Sequence, residues 1–256
     1  MANFHIESEK GITTIRIQRG ERYNALNSEM LAEFNHILGR VMQNTDQILV
    51  LTGDDNGFCA GGDITMMKQT ADEAAFEKVM DDVEGIVSKL FLMPKIVLSA
   101  IHGPAAGLGL SIALTADYVL ANQKAKIAMN FIGIGLIPDG GGHYWLEGRI
   151  GTHKAKQFIW DGLQLSAEEA FNQNIIDEVV ETDVIVAAQQ RAEKLKLKPL
   201  KSMIATKQIY HQFEKEKLIQ YLRQEKNKQL ELRKSKDHQE GVEAFLSKRK
   251  PFFTGE

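Results

Sequence analysis

Three glycine-rich turns, each following a predicted strand, set the tightest limit on how this chain folds. They read Phe58-Cys59-Ala60-Gly61-Gly62-Asp63-Ile64, His102-Gly103-Pro104-Ala105-Ala106-Gly107-Leu108-Gly109 and Ile137-Pro138-Asp139-Gly140-Gly141-Gly142. The runs before the first two, Ile48 to Leu51 and Ile96 to Ile101, are continuously apolar, as in strands buried on both faces. Upstream, Phe4 and Ile6, then Ile12, Ile15 and Ile17, flank Lys10-Gly11 and predict a hairpin with one buried face. Ser28 is placed to cap a helix bearing Leu31, Phe34, Leu38 and Val41 on one side. A second helix is expected from about Asp72 to Met93, stopping before Pro94. A third runs from Gly107 to about Ala116, then strands over Tyr118–Ala121 and Lys126–Met129, then a turn over Gly133–Gly142. Ser166 and Glu169 form a capping box opening a short helix. Ile175 to Val180 reads as a last strand, and from about Thr182 the chain is helical and basic. The recurrence of strand, turn and helix predicts a stacked α/β core with a helical C-terminal extension.

Composition narrows the function classes. With 256 residues, the chain is long enough for one large domain or one domain plus a small appendage. Its apolar stretches, such as Ile96 to Ile101 and Leu108 to Leu114, are too short to span a bilayer. Met1 to Lys10 carries no signal-peptide pattern. The single cysteine, Cys59, excludes an internal disulfide framework and fits a reducing compartment, so a cytoplasmic location is expected. The net charge of −3 is unevenly spread, because residues 191–256 hold 17 Lys/Arg against 9 Asp/Glu. Such a basic region favours a phosphate-bearing ligand, although solvated helices of mixed charge give the same count. No aromatic-interleaved basic stripe points to nucleic acid. The seven histidines are scattered, without metal-ligand spacing.

The turns are where chemistry is expected. A strand-to-turn-to-helix junction aims free N–H groups and a positive helix end at one point. Two such junctions facing each other make a hole for a developing oxyanion, whereas any one alone is equally an ordinary tight turn. A dinucleotide fingerprint fails at Gly107-Leu-Gly109-Leu-Ser-Ile112, which has isoleucine for its last glycine. Gly109-Leu-Ser111-Ile-Ala113 is similar to a hydrolase nucleophile elbow, with His143, His153, His211 and His238 as undistinguished partners. The alternative for Ser111 is a small helix residue near a turn.

Taken in order, the motifs resemble those of the crotonase superfamily, the enoyl-CoA hydratase/isomerase group. Arg22-Tyr-Asn-Ala-Leu26, the three turns, Asp161-Gly to Ala170 and the ending Phe245-Leu-Ser-Lys-Arg-Lys-Pro-Phe-Phe253 carry the likeness over essentially the whole chain. The resemblance implies an α/β spiral of repeated ββα units over residues 1–195. It implies a helical region over 196–256 that mediates trimerisation, giving a homotrimer or homohexamer. It also implies an acyl-CoA thioester as substrate, with coenzyme A part of that substrate and no permanently bound cofactor. By position, the backbone N–H groups of Gly62 and Leu108 are the donors for the thioester oxygen, and Leu108 stands where many members have glycine. The same comparison assigns CoA contacts around Arg22, Ala25, Ala60, Asp63 and Ile64. Lys248 and Arg249 are assigned to phosphates, including those of a neighbouring subunit's ligand.

The departures from the family pattern carry the finer expectation. Hydrating members bear two glutamates at places that here hold Ser111 and Phe131, and neither is a carboxylate acid or base. Asp139 is the carboxylate that remains. Its expected role is to shuttle a proton along a dienolate, as an isomerase requires, with its pKa raised by apolar neighbours such as Phe131 and Ile137. The competing role for Asp139 is a helix N-cap after Pro138. The competing readings of the chain are a hydratase with an atypical acid/base and a catalytically silent acyl-CoA-binding subunit. Met66, Met67, Phe76 and Met80 are candidates to line an acyl pocket, although Met and aromatic residues at helical spacing are more often core.

Overall fold

The computed structural model describes residues 3–54, 56–69 and 72–256. Its strands are β1 (Phe4–Glu9), β2 (Ile12–Ile17), β3 (Ile48–Gly53), β4 (Ile96–Ile101), β5 (Pro104–Ala106), β6 (Tyr118–Asn122), β7 (Lys126–Ala128), β8 (Gln164–Ser166) and β9 (Glu178–Val180). Its helices are α1 (Ser28–Gln43), α2 (Ile64–Gln69), α3 (Glu73–Phe91), α4 (Leu108–Leu114), α5 (Gly142–Asp161), α6 (Ala167–Asn172), α7 (Val184–Lys196), α8 (Leu200–Leu232) and α9 (Lys236–Leu246). Two sheets result, one ordered β1-β2-β3-β4-β6-β9 and one ordered β5-β7-β8. Apart from the β1–β2 hairpin, every pairing in the larger sheet is parallel.

The parallel order follows from the apolar runs. All six residues of β3 and all six of β4 are buried, which demands cover on both faces of the sheet. After β2, β3, β4 and β6 the chain steps into a second layer before entering a helix. That second layer holds β5 and β7, together with single parallel bridges between Leu26 and Gly62 and between Cys59 and Ala105. Strand, second-layer strand and helix thus repeat as ββα turns of a spiral. Gly109 shows how closely the turns stack. A Cβ at that position would lie 2.2 Å from the Cys59 carbonyl oxygen.

The C-terminal helices share the core of the spiral. Leu200 and Ile204 of α8 pack with Ile48, Val50, Ile96 and Leu98. Farther along the same helix, Leu218 and Leu222 join the cluster that contains Trp145, Leu108 and Phe131. A single 33-residue helix therefore runs from the sheet to the glycine-rich turns.

Several local expectations need correction. Asn27 caps α1, its Oδ1 accepting the Met30 N–H at 2.9 Å, and Ser28 is the first helical residue. Ile6 is 38% exposed, because β1 is an edge strand of which only Phe4 is covered, stacked on Phe34 at 5.0 Å. Helix α5 was not expected at all. It is broken at Gly151, whose φ of 74° is non-helical, and that interruption hides its periodicity. The last strand is limited to Glu178–Val180, where pairing with β6 begins. The helix expected from Asp72 and the capping box at Ser166 are both found.

Candidate active site

One cavity of about 330 Å³ collects most of the residues singled out from the sequence. Ala60, Gly62 and Ile64 from the first turn, Leu108 from the second and Asp139 from the third all line it. The first two turns meet because Cys59 pairs with Ala105, and the Ala106 N–H donates to the Cys59 carbonyl at 3.0 Å. Gly61 has a φ of 99°, and a Cβ there would lie 2.8 Å from the Ala106 oxygen and 3.4 Å from the Leu108 nitrogen. Glycine is required at this crossing on both counts.

The same pairing decides which amides face the cavity. The Leu26 N–H donates to the Gly61 carbonyl at 2.8 Å, and the Asp63 N–H donates to the Leu26 carbonyl at 2.9 Å. Gly62, between them, turns its own N–H the opposite way. Leu108 is the first residue of α4, behind the cap Gly107, so its N–H has no carbonyl a turn earlier to bond. Neither N–H has a hydrogen-bond partner among the described residues. Two unpaired donors on adjacent segments, opening on one cavity, can polarise a carbonyl oxygen.

Asp139 brings a buried carboxyl to the cavity. Its Oδ1 is buried without a hydrogen-bond partner among the described residues. Burial, reinforced by the negative charge of Glu225, raises its pKa to about 8. Val83, Leu108, Phe131 and Leu136 are apolar walls of the same cavity, whereas Ile137 does not line it and accepts at its carbonyl from Gln229. The capping role for Asp139 is corrected as well. The cap residue of α5 is Gly141, with φ 78° and no side-chain cap, and Asp139 offers the Gly142 N–H only its backbone oxygen at 3.1 Å. Asp139 is the one carboxyl among the described residues that line the cavity.

Ser111 and Phe131 occupy the two neighbouring positions. Ser111 is fully buried and donates its hydroxyl to the Asp139 carbonyl at 2.7 Å. It therefore fixes the third turn, and the nucleophile-elbow reading finds no histidine on its oxygen. Phe131 is 8% exposed and presses against Gly107, where an added Cβ would meet its ring at 3.4 Å. Met66, Phe76 and Met80 line the cavity as expected for an acyl pocket, and the side chain of Met67 lies outside the described residues.

The remaining sequence candidates lie off this cavity. Asp63 turns its carboxylate to Arg19 Nη1 at 2.8 Å and to the Thr65 N–H and hydroxyl at 3.0 and 2.7 Å. Burial opposes its ionisation, but these partners hold its pKa below the usual carboxylate range. Ala25 offers its carbonyl to Arg19, and Arg22 is exposed on a short 3₁₀ turn. Lys248 and Arg249 follow α9, and Arg249 forks onto Glu240, its Nη2 lying 2.8 Å from Oε2.

The C-terminal helices bring four polar residues to or near the cavity, of which the sequence reading named only His238, as a candidate partner for Ser111. Glu225, Gln229 and Arg233 recur at four-residue spacing on α8, and His238 opens α9. Glu225 is 2% exposed and accepts the Gly141 N–H at 2.7 Å and the His143 N–H at 3.2 Å. Its Oε1 also lies 2.8 Å from His143 Nδ1. Arg233 covers the Phe76 ring, 4.2 Å from its centroid. His238 Nδ1 lies 2.8 Å from the Ile134 carbonyl, and burial holds its pKa below the usual histidine range. The only signal for the other three was the four-residue ladder of polar side chains beside Leu218 and Leu222.

Comparison with known proteins agrees with this arrangement. The sequence pattern described as "Enoyl-CoA hydratase/isomerase" matches residues 7–256. The chain is 45% identical over 242 residues to the Bacillus subtilis (strain 168) protein YhaR, itself provisionally named an enoyl-CoA hydratase/isomerase; the match covers 94% of this chain and 95% of that one. It is 38% identical over 253 residues to the 1,2-epoxyphenylacetyl-CoA isomerase of Escherichia coli (strain K12), covering 96% of each. Among solved structures, an enoyl-CoA hydratase from Mycobacterium avium subsp. paratuberculosis K-10 superposes with a TM-score of 0.90 at 25% identity, covering 99% of both chains.

Proposed function

The chain belongs to the enoyl-CoA hydratase/isomerase family, and on that premise we propose that it shifts a double bond in an enoyl-CoA thioester. The observation that carries this reading is a single buried carboxyl, Asp139, on a cavity that also presents two unpaired N–H groups. The thioester oxygen accepts hydrogen bonds from the Gly62 and Leu108 N–H groups, which stabilises the negative charge that grows there. Ionised Asp139 removes a proton from C2 of a 3-enoyl thioester. The electron pair spreads over the dienolate, and Asp139 returns the same proton to C4. One C–H bond is broken and one formed, no water enters, and one carboxyl suffices. Hydration instead needs water to be activated and a proton delivered, usually by separate groups. The places for such groups hold Ser111, whose hydroxyl is engaged, and Phe131. The E. coli relative is named as an isomerase of an epoxyacyl-CoA, and other relatives, such as that of Rhodobacter capsulatus, are named as hydratases.

In this reading the acyl chain extends past Met66, Phe76 and Met80, while Ala60 and Ile64 border the pantetheine path. Arg22, Ala25, Asp63, Lys248 and Arg249 belong to the CoA side. The test is a steady-state assay with 3-enoyl- and 2-enoyl-CoA of several chain lengths, on wild-type protein and Asp139→Asn. We expect 3-enoyl thioesters to be converted and kcat/KM to fall by about 10²–10⁴-fold in the variant. The wild-type rate should climb with pH towards the pKa of about 8, since the base acts when ionised. Hydration of 2-enoyl thioesters alone would replace this reading with the hydratase. Binding of both substrates without turnover would leave the silent binding subunit.

A further inference from the structure

The Asp139 turn is pinned from α8 at two points, and the pinning residues lie one helical turn apart. Gln229 donates its Nε2 hydrogen to the Ile137 carbonyl, two residues before Asp139. Glu225 accepts the Gly141 N–H at 2.7 Å, two residues after it. Between them, Ser111 of α4 holds the carbonyl of Asp139 itself at 2.7 Å. The carboxyl is thus carried on a loop fixed before, at and behind the residue.

Glu225 is the member of this clamp that carries charge. It does not line the cavity, and its oxygens are occupied by Gly141 and His143, so it is in no position to exchange a proton with a substrate. A buried carboxylate so placed also caps α5, an anion at a helix N-terminus. We propose that Glu225 is the positioning residue for Asp139, fixing the loop from α8 and biasing its carboxyl with a second, non-reacting negative charge. This rests on the reading of Asp139 as the proton carrier.

The groups around Asp139 agree with that assignment. From α8, Glu225 is the charged residue whose field acts on it, with Arg233 farther along the cavity wall. From α5, His143 is tied to Glu225, and from α9, His238 lies on the cavity with its Nδ1 at the Ile134 carbonyl. The turn otherwise packs on neutral side chains, with Leu108, Ser111 and Val83 the nearest to Gly140. Two like charges in one dry site raise the pKa of the weaker acid, which is the direction found for Asp139.

The experiment is a carboxyl NMR titration of protein labelled with ¹³C-aspartate, the Asp139 signal being assigned by its loss in Asp139→Asn. Glu225→Gln keeps an oxygen for the Gly141 N–H but removes the charge. The Asp139 midpoint should fall by about 1–2 pH units in that variant, with the base-limb inflection of kcat/KM moving alongside it. An unchanged midpoint in folded Glu225→Gln overturns the proposal, even if the melting temperature drops. If Glu225→Gln does not fold, Glu225→Asp retains the charge. Its midpoint should stay raised, and a return to the ordinary carboxylate range near about 4 overturns the proposal. An active Asp139→Asn together with a shifted midpoint would remove the isomerase reading while leaving the Glu225–Asp139 coupling in place.

Discussion

The Asp139 carboxyl meets apolar walls, a neighbouring anion and no hydrogen-bond donor to Oδ1. These are poor conditions for a charge, and the consequence extends beyond catalysis. Its folded-state pKa of about 8 lies above the unfolded value, so the folded state binds its proton more tightly. The associated stability is fully present below about pH 4 and is lost as pH rises through about 8. Asp139→Asn should therefore stabilise the protein at pH 8 by on the order of 2–4 kcal/mol, with little effect at pH 4. Parallel urea melts of both proteins at the two pH values measure this, and an equal difference at both would contradict the raised pKa. The place of Asp139 on the cavity was legible because the family resemblance left it as the carboxylate remaining once Ser111 and Phe131 stand at the glutamate positions. Glu225 was not, because its partners Gly141 and His143 lie 84 and 82 residues away. Nothing local distinguishes it from the solvated glutamates on the same helix.

At the scale of elements, the turns were readable and two of the short strands, β5 and β8, were not. β3 and β4 announce themselves as unbroken apolar runs, and helices α3 and α6 carry ordinary caps in Asp72 and Ser166. β7 matches the strand read over Lys126–Met129, whereas β5 and β8, of three residues each, owe their existence to pairing across the spiral, a contact that propensity does not report. Gly109 tests how strictly that stacking is set. Its Cβ position lies 2.2 Å from the Cys59 oxygen and 2.8 Å from the Cys59 carbonyl carbon, both backbone atoms of the adjoining turn. Gly109→Ala must push α4 away from the first turn, separating the Leu108 and Gly62 donors. We expect a loss of about 1–3 kcal/mol in stability, since overpacking in a tight core has that scale. Turnover should fall further than the stability change alone explains. Gly148→Ala is the matched control, because its Cβ would meet nothing within 4 Å and the residue lies off the cavity. Equal activity in the two variants would show that the turns have more room than their spacing indicates.

For the molecule as a whole, the decisive connection is the docking of α8 onto the sheet, because one helix carries both the anchor and the active-site clamp. Lys207 of α8 is 7% exposed and donates to Asp117 Oδ2 at 2.7 Å and to the Lys95 carbonyl at 3.0 Å. Asp117 Oδ2 also accepts the Val97 N–H at 2.8 Å, so the ion pair is tied into the start of β4. Lys95 in turn reaches the Asn44 carbonyl at 2.9 Å and Oδ1 at 2.8 Å, which extends the contact to the end of α1. Burial pulls the pKa of Lys207 down, and the Asp117 charge opposes that pull. Removing the cation alone leaves Asp117 without its countercharge, whereas removing both charges together leaves no orphan. Lys207→Ala should therefore destabilise the protein by about 3–5 kcal/mol, and Lys207→Met with Asp117→Asn by clearly less. At this chain length the first figure corresponds to a melting temperature lower by roughly 10 °C. Glu225 lies about 27 Å farther along the helix, at 1.5 Å per residue, beyond the packing of Leu218 and Leu222. Lys207→Ala should accordingly keep its wild-type pH–rate profile below its melting temperature, unlike Glu225→Gln. A shifted profile in Lys207→Ala would mean that the sheet anchor, through α8, sets the Asp139 loop as directly as the clamp beside it.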